Sequence, residues 1–241
     1  MALDVTTGLA WTGSNADATS YETAEITPVS GAVYLAVIAS TETTTAGLPS
    51  CTGTNGLSVT WTVDGAKQTV GNGQGLTVFR GVAFSAVAGT LTFDFGASTQ
   101  TGAAWGVFRV VEGNTTDVIL QPTTGGQTND DTPTVTLPGA LGSANNGIAM
   151  FVSAKTQTLT LAADAGWTEL SAEYYHTSSN LTIGGCWALG GADLSPSMTL
   201  SAAANWITIG VELVAVAAAS PTLVSRHHPR GTMRGTMRGS S

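Results

Sequence analysis

The residues with the types and spacing to do chemistry are two carboxylates, Glu169 and Glu173, in the aromatic run GWTELSAEYY beside Trp167, Tyr174 and Tyr175. Side chains alternate along a strand, so this even spacing predicts both carboxylates on one face. Two carboxylates facing one cleft roughly 5 to 10 Å apart would serve glycoside hydrolysis. The same group also reads as a glycan-binding platform, because aromatic faces stack on pyranose rings and carboxylates accept hydroxyl hydrogen bonds. The plainest reading is a set of half-exposed strand residues in a packed sandwich. Elsewhere the material for catalysis is thin: the histidines are His176, His227 and His228, and the GxSxG, HExxH and GxxxxGK[ST] patterns are missing. The GNGQG run, Gly71 to Gly75, lacks the strand–turn–helix setting of a dinucleotide fingerprint and predicts a tight turn. Asp130 and Asp131 would need a shell of about six oxygens to hold calcium, and no EF-hand spacing supplies one, so they read as solvated loop acids. The expectation is a non-catalytic protein with no cofactor and no metal.

The elements that must carry these residues are strands. Short apolar runs bounded by Gly, Asn, Asp, Ser and Thr recur along the chain, which predicts an all-β sandwich or barrel. In GTLTFDFG, Leu91, Phe93 and Phe95 share one face and Thr90, Thr92 and Asp94 the other. The alternation of Ile207, Ile209, Val211 and Leu213 with Thr208, Gly210 and Glu212 predicts a second strand wet on one side. AVYLAVIA, from Ala32, is apolar on both faces and predicts a central strand covered twice; its Val and Ile content argues against a helix. Trp61, Trp105, Trp187 and Trp206 fall in strands as core or interface anchors.

The order of segments repeats between the halves. SYETAEITP matches TPTVTLP, AVYLAVIAS matches GIAMFVSA, and LSVTWTVD matches GWTELSAEYY. LTVFRGVAF then matches LTIGGCWAL, GTLTFDFG matches PSMTLSA, and AAWGVFRVVEG matches ANWITIGVELVA. Trp105 and Trp206 open the last strand of each half, with Glu112 and Glu212 near its end. The expected organisation is an N-terminal segment (1–15), a first β-sandwich unit (16–113) and a turn-rich linker with a short strand at Val118 to Leu120 (114–131). A second β-sandwich unit (132–219) and an extended basic C-terminal arm (220–241) follow. Two tandem, related, jelly-roll-like units is the leading architecture; one sandwich shared by both halves is the alternative.

Composition narrows the partners. Charged residues are 10 % of the chain against roughly 25 % in an ordinary domain, so neighbours can meet with few charges to desolvate. The net charge of −8 is unevenly spread, because Arg226, Arg230, Arg234 and Arg238 lie in the arm while the part before it carries 4 basic against 16 acidic residues. A nucleic-acid partner is disfavoured for that acidic body. The arm, with a tandem RGTM, predicts an assembly contact through Arg226, Arg230, Met233, Arg234, Met237 and Arg238, since Arg binds carboxylates and Met adapts to irregular surfaces. No apolar run approaches the about 20 residues of a membrane helix, and the N-terminus lacks the basic and apolar regions of a signal peptide. Cys51 and Cys186 are expected free, with a long-range bridge the alternative.

The Gly-, Thr- and Ala-rich, lysine-poor texture resembles β-sandwich structural proteins of tailed bacteriophages: head decoration proteins and tail or fibre components. GIAMFVSA, AGWTEL and NWITIGVELV carry the resemblance, with a looser copy in the first half. It implies a virion structural protein assembled in a host cytoplasm, partnered by copies of itself and other virion proteins, with neither nucleic acid nor membrane as partner. The alternative is a glycan-binding module, such as a receptor-binding fibre, acting on a surface glycan.

Overall fold

The computed structural model describes residues 3–42, 46–69, 73–155, 159–176, 179–191 and 193–217. The first half contributes β1 (Asp4–Ser14), β2 (Ser20–Glu22), β3 (Val33–Thr41), β4 (Ser50–Gly53), β5 (Thr62–Thr69), β6 (Gln74–Val82), β7 (Leu91–Asp94) and β8 (Gly102–Val111). The second contributes β9 (Ile119–Asp130), β10 (Gly147–Lys155), β11 (Leu161–Ala163), β12 (Thr168–Glu169), β13 (Tyr174–His176), β14 (Leu181–Leu189), β15 (Met198–Leu200) and β16 (Ala204–Leu213). The chain is all-β.

The halves share one plan. A large antiparallel sheet in the order β1-β8-β3-β6-β5 faces a small sheet β2-β7-β4 in the first, and β9-β16-β10-β14 with β12 and β13 on its far edge faces β11-β15 in the second. Thr134 bridges Ser197, so the segment after β9 takes the place of β2. First strand beside last, second beside seventh and third beside sixth is the nested pairing of a jelly roll, departing from it where the fifth strand joins the large sheet.

The registers match as well. Trp105 lies opposite Ile38, and Trp206 opposite Ala154. Leu76, Thr77 and Val78 face β3 as Leu181, Thr182 and Ile183 face the end of β10. In the same alignment Glu212 corresponds to Val111 and not to Glu112, so the glutamates are no part of the repeat. Glu112 closes its strand at φ 57°, whereas Glu212 is fully buried.

Three cores hold the layers together. Each large sheet packs against its own small sheet: Tyr34, Phe79, Phe93 and Trp105 fill the first outer core, and Met150, Val152, Leu161 and Trp206 the second. The largest core lies between the two large sheets and draws on both halves, through Trp11, Leu35, Val37 and Phe108 from one and Phe151, Ile183, Ile209 and Val211 from the other. The order of layers is therefore small, large, large, small, with the middle interface shared. β1 rests on β13, β8 on β14, β6 on β16 and β5 on β9. Exchanging the halves maps these contacts onto one another, so the interface is isologous, like that of a two-fold dimer.

Several expectations change. β3 and β10 are buried along both faces, as two-sided apolar strands must be. β16 is covered on both faces too: Thr208 and Glu212, predicted to be wet, are fully buried beneath the second outer layer. The predicted N-terminal segment and the predicted linker are the long edge strands β1 and β9, equivalent in the two units. Cys51 and Cys186 are free, buried in opposite outer cores, and burial pushes both thiols up to about 12.

Candidate functional site

Glu169 lies opposite Cys186, and Glu173 lies over Gly184, so the two carboxylates share the outer face of their sheet edge. The Ala163 N–H donates to Glu169 Oε1 at 3.1 Å. Trp167 packs on the second outer core, while Tyr174 turns to the opposite face and packs against the central core, its ring 6.1 Å from His176. Tyr175 is exposed. The break between β12 and β13 inserts an even number of extra residues opposite β14 and keeps the alternation in step, so Tyr174, an odd number of positions from Trp167, Glu169 and Glu173, falls on the other face. Burial lowers the pKa of His176. Arg226, Arg230, Met233, Arg234, Met237, Arg238 and the pair His227 and His228 lie outside the described residues.

Asp130 and Asp131 cap a turn. Asp130 Oδ1 accepts from the Thr132 N–H at 2.8 Å and from Trp206 Nε1 at 3.3 Å, and Asp131 Oδ1 accepts from Thr132 Oγ1 at 3.1 Å. Among the described residues, no group of three or more His, Cys, Asp or Glu converges to hold a metal, and no helix is long and apolar enough to cross a membrane.

Two buried carboxylates organise the loops. Glu212 accepts from Gln121 Nε2 at 2.7 Å, the Gly142 N–H at 2.7 Å and Asn146 Nδ2 at 2.6 Å, which ties the segment before β10 to β16. Asp64, where β5 slips register, meets Arg80 Nε at 3.2 Å. Burial raises its carboxyl to about 6 although Arg80 pulls the other way.

One concave feature lies where β5 and β9, edges of the two large sheets, rest on each other. A cleft of about 410 Å³ opens there, lined by Lys67, Gln68, Gln74, Gln127, Asn205 and Trp206 among others. On the outer side of β9 a groove of about 500 Å³ continues from Gln127 and Trp206 over Thr123, Thr134 and Thr136. None of these amides stands out in sequence: Gln74 belongs to the predicted tight turn and actually starts β6, and Gln127 belongs to the predicted linker.

The sheet edges are the other candidate surface. β1, DVTTGLAWTGS, and β9, ILQPTTGGQTND, are 11 and 12 residues long and each carries a single charged side chain, Asp4 and Asp130. Pro122 and the register slips protect part of β9, but Thr123 to Gln127 pairs without interruption with Gly210 to Trp206 and leaves its other edge open. Comparison with protein-family models, with curated proteins and with solved structures finds no match to this chain.

Proposed function

We propose that this protein is a non-catalytic structural protein that works by assembling with copies of itself, and that its setting is a virion, as a capsid decoration or tail component. The observation that carries the reading is the pair of long edge strands, β1 and β9, almost without charge. Natural sheets blunt exposed edges with lysine, proline and short strands because unpaired N–H and C=O groups recruit further strands. Here proline appears once, at Pro122, and lysine in neither edge. A chain with only 10 % charged residues has few charges to desolvate when neighbours meet, and exposed Val29, Phe84 and Val87 supply apolar contact area. The arm carries four arginines and the body before it an excess of 12 acidic charges, so an arm crossing onto a neighbouring body would find carboxylates to pair with.

Light scattering after size exclusion tests this on the full chain, on a truncation ending at Ser220, and on the double variant Thr6→Lys with Thr124→Lys. A defined oligomer that the truncation or the two edge lysines dissociate is the expected result. Monomers for the full chain across the concentration range, together with no incorporation into a particle, would refute it.

A further inference from the structure

We infer that the cleft between β5 and β9 binds a neutral saccharide, at a site distinct from the carboxylate and aromatic cluster of the other sheet edge. The cleft exists only because the two units pack face to face, which brings Lys67, Gln68 and Gln74 of one unit opposite Gln127 and Asn205 of the other. Its volume of about 410 Å³ falls within the roughly 300–1,000 Å³ of small-molecule sites.

The hydrogen-bonding state of the lining selects the ligand class. Gln74 is fully buried; its Nε2 donates to Ser153 O at 2.6 Å and Ser153 Oγ at 2.9 Å, which leaves Oε1 as a buried acceptor with no partner. With no accessible surface of its own, Gln74 shapes the cleft floor, and the side chains a ligand can reach are those of Gln68, Asn205 and Lys67. Gln68 Nε2 is held by Ala46 O, so its Oε1 also remains an acceptor. Asn205 has the opposite polarity: its Oδ1 accepts from the Asn129 N–H at 3.1 Å, leaving the Nδ2 hydrogens as donors, and the Lys67 ammonium adds three more. An anion would want donors alone and a metal acceptors alone. A mixture of fixed donors and acceptors with one cation suits hydroxyls, which do both. The threonine-lined groove across β9 extends the same chemistry beyond one sugar ring. Trp206 is too buried to offer its face for stacking, so the affinity expected is modest, with a dissociation constant on the order of 1 mM.

The inference does not rest on assembly, and its test uses dilute full-length protein. Neutral trisaccharides of glucose, galactose and N-acetylglucosamine are titrated into ¹⁵N-labelled protein while the Asn205 side-chain amide and the Trp206 indole N–H are followed. The expected result is a saturable shift of both signals with at least one sugar. Asn205→Asp, which replaces donors by acceptors, and Lys67→Ala should each weaken binding about tenfold or more, whereas Trp167→Ala and Glu169→Gln should leave it unchanged within about twofold. Melting curves confirm that each variant is folded, and Lys67→Ala keeps the test open should the Asn205 variant unfold. No saturable shift at about 20 mM sugar, or shifts indifferent to both cleft variants, would overturn the inference. So would saturation by an extended threonine-rich peptide in place of any sugar, which would make the flank an edge for strand addition.

Discussion

Replacing Phe151 by alanine should unfold both halves of the molecule together. Phe151 is fully buried on β10, on the face turned to the other unit, and its ring lies 6.5 Å from that of Phe108 on β8, itself fully buried. A buried Phe→Ala change costs about 3–5 kcal/mol in lost transfer energy and residual cavity. The upper end is expected here, because the cavity is walled by strands hydrogen-bonded on both sides and cannot collapse. For a domain of this size about 1 kcal/mol shifts the melting temperature by roughly 2–4 °C, so Phe151→Ala should lower it by about 8–20 °C. Urea unfolding followed at once by tryptophan fluorescence and by exchange of backbone amides distinguishes the cases. Trp11, Trp61 and Trp105 report the first unit and Trp167, Trp187 and Trp206 the second. One transition, moved as a whole by the substitution, is expected. Phe108→Ala combined with Phe151→Ala should cost less than the two alone, since both enlarge one void. Two separable transitions, with only the second moved, would refute a shared central core.

Removing the Glu212 carboxylate as Glu212→Ala should cost about 3–5 kcal/mol by stranding the Gln121, Gly142 and Asn146 donors, and should speed hydrogen exchange of the segment before β10; Glu212→Gln should cost less. Asp64 has a folded pKa raised to about 6 from 3.8, so the folded state holds its proton more tightly than the unfolded chain. Stability from this group is therefore present below about pH 4 and falls as pH rises to about 6, by roughly 1–3 kcal/mol, and Asp64→Asn should flatten that part of a urea-midpoint against pH curve. Cys51 and Cys186, buried with thiols pushed up to about 12, should resist an aromatic disulfide reagent at pH 8 in the native protein and react fully in denaturant; prompt native reaction would contradict their burial.

Much of this fold was legible in the residues, because apolar periodicity reports burial directly. AVYLAVIA identified β3 as a central strand and Leu91 and Phe93 a half-buried one, and the segment order matched across the halves falls on strands whose sheet orders run in parallel. β1 and β9 escaped because edge strands rich in Thr and Gly bury little and so leave no alternation to read. Thr208 and Glu212 look like wet-face residues since polarity marks solvent only when nothing covers the sheet; the segment between β9 and β10, through Thr134, Gly142 and Asn146, covers them here. Tyr174 lies an odd number of positions from Trp167, so alternation alone puts the two rings on opposite faces, and the even-numbered insertion between β12 and β13 keeps that parity. The cleft lies furthest from the sequence: Gln74 and Asn205 are 131 positions apart in the chain. By itself the sequence determined the strands, the repeat and the low charge, which depend on local composition. Which surfaces met, and so which amides came to line a cleft, was decided by packing two large sheets face to face, a choice set by the sum of many buried contacts and by no single segment.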